Sequence, residues 1–132
     1  MRPTRLSDVE IPDDLLYSSD HEWVRVDGRR ARIGITDYAQ DALGDVVFVQ
    51  VPDIGRKVAA GESFSEVEST KSVSDIYAPV SGSVCAINGT LADDPSLVNT
   101  SPYADGWICD IELDSEDLGH LMSAVDYRKL TS

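Results

Sequence analysis

The chain has 132 residues and a formal net charge of −13, from 11 Lys and Arg against 24 Asp and Glu. That length suits one domain burying roughly two thirds of its unfolded surface without disulfide staples, and an apolar share of 42% with 27% charged residues excludes a largely disordered chain. A field of this sign repels phosphate backbones, which excludes nucleic acid as a partner, and apolar runs as short as Val46–Val49 exclude a membrane-spanning helix.

Residues 1–13 are polar and aperiodic, and predict a loose arm ahead of a single domain over residues 14–132. Asp8 and Glu10 stand where a secretion signal would need its apolar stretch, so a cytoplasmic location is expected. Val24 and Val26 alternate with Arg25 and Asp27, as in a half-buried strand, and Asp27-Gly28 turns the chain into a second strand with Ala31, Ile33 and Ile35. Thr36 or Asp37 caps a short helix that runs through Leu43 and stops at Gly44. Asp45–Val51, rich in Val and Phe, reads as a buried strand, and Pro52-Asp53-Ile54-Gly55 as a turn.

Short strands follow at Lys57–Ala59, Ser63–Glu68, Val73–Ala78 and Gly82–Asn88, punctuated by Gly and Pro. Residues 90–106 read as a long loop with a turn of helix near Ser96. Trp107, Cys109, Ile111 and Leu113 then line one side of a further strand. A helical stretch opens at Ser115-Glu116-Asp117 and carries Leu118, Leu121, Met122 and Val125, weakened by Gly119. The class implied is mainly β, a small sandwich or barrel-like fold with a minor helical component near each end. Cys85 and Cys109 form no C-x-x-C and read as small side chains buried in strands of a reduced protein.

The distribution of bases is informative. Between Val58 and Tyr127, 70 residues contain 13 acids and a single base, Lys71. A surface counter-ion to Glu66, Glu68 and Asp75 would contribute little, and would not account for the missing lysines and arginines elsewhere. A lysine singled out for covalent modification would, since neighbouring lysines compete as targets. Lys71 lies between two strands in Glu68-Ser69-Thr70-Lys71-Ser72-Val73, which lacks Gly, Asn and Pro. A type I reversal is therefore expected, with the ammonium at its tip projecting clear of the body.

These residues form a known pattern. Gly61-Glu62-Ser63-Phe64-Ser65-Glu66-Val67-Glu68-Ser69-Thr70-Lys71 followed by Ile76-Tyr77-Ala78-Pro79-Val80-Ser81-Gly82 resembles a lipoyl-attachment hairpin. Together with His21-Glu22-Trp23, Gly34-Ile35-Thr36-Asp37, Leu43-Gly44-Asp45-Val46-Val47 and Ser101-Pro102-Tyr103 before Gly106-Trp107, the chain resembles the glycine cleavage system H proteins over roughly residues 14–130.

The resemblance implies a lipoyl-domain-like barrel-sandwich hybrid of two small β-sheets, with short helices and a C-terminal helix. It implies lipoate in amide linkage on Lys71, and a carrier that catalyses nothing itself. The implied partners are a pyridoxal-phosphate-dependent glycine decarboxylase, an aminomethyltransferase, dihydrolipoyl dehydrogenase and a lipoate ligase or lipoyl transferase. A tethered disulfide suits such a relay because it accepts both a carbon fragment and electrons by exchange at sulfur. Glu68 and Asp75 are expected to flank the lysine as recognition residues. His21, Glu22 and Asp75 are expected to border a cleft that protects the loaded arm, with a carboxylate meeting its protonated amine. Asp20 stands where the family often has Ser, and Tyr38 where many members have His.

A lipoyl domain of a 2-oxoacid dehydrogenase would have Asp before the lysine, where this chain has Thr70, and a biotin carrier would have Met on both sides. A non-carrier module would have no need of Lys71 at a tip, whereas a relay of lipoate to other proteins would use the same site. A conventional enzyme lacks support, since His21 and His120 are the only histidines. A monomer is the default expectation.

Overall fold

The computed structural model describes residues 9–115 and 118–131. The strands are β1 (Leu16–Tyr17), β2 (Glu22–Asp27), β3 (Arg30–Ile35), β4 (Val46–Gln50), β5 (Lys57–Val58), β6 (Ser63–Ser69), β7 (Val73–Tyr77), β8 (Gly82–Ile87) and β9 (Cys109–Leu113). They form two antiparallel sheets, one of six strands in the order β1-β2-β3-β9-β8-β5 and one of three in the order β4-β6-β7. The helices are α1 (Asp37–Leu43), α2 (Thr90–Asp93), α3 (Leu97–Thr100) and α4 (Ala124–Thr131).

Local chemistry accounts for most boundaries. Gly28, with φ of 63°, turns β2 into β3 so that Asp27 faces Arg30. Thr36 caps α1 by accepting the amide of Ala39, and Gly44, at φ 83°, ends it. Alternating residues of both sheets then bury a shared core that includes Val24, Ile33, Val67, Ile76, Val84 and Ile111. A second, smaller cluster joins Leu15, Tyr17, Trp23, Ala124 and Tyr127, and seats α4 against the β1 end of the large sheet. Tyr17 and Tyr127 stack there at 4.6 Å.

The sequence motifs outside the lysine hairpin serve this frame. Gly34 lies under Trp23, so close that an added Cβ would sit 2.6 Å from the indole nitrogen. That nitrogen donates to the Pro102 carbonyl, which joins His-Glu-Trp to Ser-Pro-Tyr across the fold. The Tyr103 hydroxyl accepts the amide of Asp37 and donates to the Glu10 carbonyl.

Five expectations about the fold need correction. Residues 10–13 are not loose: Arg128 donates to the Ile11 carbonyl and bonds Asp13, and Tyr17 donates to the Pro12 carbonyl; residues 1–8 lie outside the described residues. β4 is not buried throughout, because a bulge between Val46 and Phe48 leaves Val47 and Phe48 exposed. The loop at 90–106 holds two short helices rather than one turn. The C-terminal helix begins only at Ala124, since Met122 pairs with Tyr17 in a β-bridge and its backbone is committed there; Glu116 and Asp117, in the expected helix start, lie outside the described residues. Cys109 is buried as expected, Cys85 is half-buried, and both are free thiols.

Candidate functional site

Lys71 stands in the connection between β6 and β7, where Glu68 faces Val73 as the last pair. The reversal contains no positive φ, as its residue types require. Its shape comes from buried Ser69, whose hydroxyl oxygen accepts the amides of Lys71 at 3.2 Å and Ser72 at 3.1 Å. The amide of Thr70 donates to the Asp45 carbonyl at 3.0 Å, so the tip is tied to the loop after α1. Asn99 fixes that loop in turn, donating to the Gly44 carbonyl and accepting the amide of Val46. Lys71 is exposed, but its side chain lies against Gly44 rather than projecting clear: a Cβ on Gly44 would be 3.0 Å from Lys71 Cε. The tip is a rigid frame with an accessible amine.

Beside the hairpin lies a cleft of about 280 Å³ between the two sheets. Ile35, Ala39, Ala42, Leu43, Val67, Val73 and Ile76 form its apolar walls, and Asp20, His21, Glu22, Tyr38, Ser72, Ser74 and Asp75 supply the polar and aromatic remainder. The structure thus brings His21, Glu22 and Asp75 to one cleft. Glu68 and Lys71 stand outside its lining, on the exposed surface.

Glu22 is 1% exposed. Its carboxyl accepts the Ser18 hydroxyl and, at 3.3 Å, the amide of Tyr77 on the edge strand β7, linking the two sheets. Burial without a cation raises its pKa to about 7, with the bond from Ser18 pulling the other way. This carboxyl keeps its proton to a much higher pH than an ordinary glutamate, and a positive group entering the cleft would favour the carboxylate.

His21 has a φ of 70°, the only such value among the described non-glycine residues. That conformation costs on the order of 1–3 kcal/mol and persists where surrounding contacts over-determine it. Its Nδ1 meets the Tyr127 hydroxyl at 2.7 Å, its carbonyl accepts the Thr36 amide, and its ring lies 4.6 Å from that of Tyr38. Burial lowers its pKa and favours the neutral ring. The Tyr127 hydroxyl also meets Thr36 Oγ1 at 2.8 Å, so α4 braces the cleft wall through one phenol. Sequence reasoning missed the roles of Asn99 and Tyr127, which act over long range and leave no periodic trace, and of Ser18, which stands only four residues from Glu22. Ser69 was inside the quoted motif, though its role as the turn's acceptor was not read.

The model of the glycine cleavage H-protein family matches residues 15–132. The chain belongs to that family. It is 58% identical over 124 residues to the glycine cleavage system H protein of Mycobacterium sp. (strain KMS), covering 90% of this chain and 95% of that one. It is 60% identical over 117 residues to the H protein of Mycobacterium bovis (strain BCG / Pasteur 1173P2), with 88% and 87% covered. The crystal structure of an H protein from Mycobacterium marinum superposes with a TM-score of 0.83 at 44% identity, covering 90% of this chain and 97% of that one. As an H protein the chain is a non-catalytic lipoyl carrier of the glycine cleavage system, and its partners are that system's P, T and L proteins. Among the described residues no helix is long and apolar enough to cross a membrane.

Proposed function

We propose that Lys71 is the residue that carries the lipoyl group, and that the cleft lined by His21, Glu22 and Asp75 shelters the arm. One observation carries this reading: the sole base between residues 58 and 127 stands at the exposed tip of a hairpin held from both sides. When bound, the lipoyl dithiolane supplies a disulfide that accepts a carbon fragment and two electrons.

The chain's own residues fit that group. Lys71 provides an amine for amide linkage, which removes its charge and takes the formal net from −13 to −14. The apolar walls suit an alkyl chain and exclude water, while Glu22 offers a carboxyl to a protonated amine. A cation at Glu22 offsets the burial that raises its pKa, so the carboxyl ionises and holds the amine by a charge-assisted hydrogen bond. Asp75, exposed at the rim, adds negative charge. His21, kept neutral, acts as a wall braced by Tyr127 rather than as an acid or base. Glu68 faces outward beside the hairpin, where an enzyme reading the lysine would meet it. A cytoplasmic location agrees with the free thiols Cys85 and Cys109.

Lys71→Arg tests the assignment. The variant is expected to keep its fold and lose at least a hundredfold of glycine-dependent carbon dioxide exchange in the reconstituted system. Retained exchange would contradict it.

A further inference from the structure

The outward face of the three-stranded sheet carries an apolar patch that the fold itself does not bury. The bulge in β4 leaves Val47 49% and Phe48 54% exposed. Bulges at this kind of position re-aim side chains next to functional sites. Phe48 pairs with Glu68, and Glu68 with Val73, itself 57% exposed, so a cross-strand row reads Phe48, Glu68, Val73. The next row reads Gln50, Glu66, Asp75, all exposed. These rows hold three carboxylates and no base, and end at the hairpin that bears Lys71.

We infer that this face, centred on Phe48, is the docking surface for the enzyme that acylates Lys71, and that the enzyme presents an apolar pocket framed by Lys and Arg. The inference rests on Lys71 being the lipoylated residue. Acylation joins Lys71 Nζ to an activated lipoyl carboxyl. The C–N bond forms, the bond from the acyl carbon to its leaving oxygen or sulfur breaks, and the ammonium gives up two protons to the leaving group and solvent. No group is oxidised or reduced. The reacting atom is only four methylenes from the backbone, so that enzyme has to close on the hairpin and its flanking rows. Enzymes that act on the sulfurs meet them at the far end of the arm and have no such constraint. An aromatic side chain inside a charged rim is the arrangement that concentrates binding energy at interfaces, and the carboxylates select a basic partner surface.

The test uses the unlipoylated full chain with lipoate, ATP and a purified lipoate ligase, following acylation by intact mass across carrier concentrations. Phe48→Ser is expected to raise KM at least tenfold with kcat within twofold of wild type, and Phe48→Leu to recover most of the loss. Val125→Ser, which removes an equally exposed apolar side chain from α4, should leave both constants unchanged. Circular dichroism confirms folding, and Val47→Ser serves as a second variant should Phe48→Ser misfold. A KM for Phe48→Ser within twofold of wild type, with wild type acylated at Lys71, overturns the docking surface and leaves the lysine assignment standing. So does a defect confined to the decarboxylase or aminomethyltransferase steps. Failure of wild type to be acylated at Lys71 overturns the assignment beneath it.

Discussion

Glu22 combines two demands that pull against each other. Its hydrogen bonds to Ser18 and Tyr77 join the sheets, yet its burial disfavours the charge that would hold an amine. In the folded chain the carboxyl stays protonated up to about 7, whereas the unfolded chain releases the proton near the ordinary 4.5. Its contribution to stability is therefore fully present below about 4.5 and is lost as pH rises through 7. The loss is on the order of 3 kcal/mol across that window. Neutral burial of His21 works in the opposite sense, stabilising above the ordinary 6.5 and losing that contribution as pH falls. Denaturant unfolding of wild type and Glu22→Gln at pH 5 and pH 8 isolates Glu22. Wild type should lose about 2.5 kcal/mol more than the variant over that interval, and equal losses would show that the carboxyl is not held in its neutral form.

The β6–β7 hairpin depends on a buried hydroxyl more than on turn-forming residue types. Ser69→Ala leaves the amides of Lys71 and Ser72 to water, both residues being exposed, so the cost should be only about 1 kcal/mol. The distinctive readout is local: hydrogen exchange at Lys71 and Ser72 should quicken several-fold while β2 and β9 stay protected. Unchanged exchange at those two amides would remove Ser69 from this role. The exposed strand–turn–strand tip that bears Lys71 was legible because that pattern is local in the chain. The helix ending at Gly44 and the β2–β3 turn were legible for the same reason, through Thr36 and Gly28. β4 was misread because Val46-Val47-Phe48-Val49 looks alike whether it is buried or bulged outward, and a bulge leaves no mark in a run without alternation. Tyr127 and Asn99 reach the site from 106 and 55 residues away, from His21 and Gly44 respectively, and nothing local announces such contacts.

Across the molecule, charge is segregated. Four of the 11 bases, Arg25, Arg29, Arg30 and Arg32, crowd the β2–β3 hairpin, where Arg30 and Arg32 cover Asp110, a carboxylate only 2% exposed. The stretch from residue 58 to residue 127, which holds the lysine hairpin, is left acidic with one base in it. Two sheets packed on one shared core and joined by the bond from the Tyr77 amide to Glu22 keep that amine beside a cleft between them. A carrier needs this combination of one addressable attachment point, a shelter next to it and a rigid body that partners can grip. The most direct measurement is intact mass with peptide mapping of the full chain purified from a lipoate-replete host, beside Lys71→Arg from the same host. Wild type should be heavier by the mass of one lipoyl group, mapped to the peptide containing Lys71, and the variant should carry none. An unmodified Lys71, or a lipoyl group that persists in Lys71→Arg, would contradict the account.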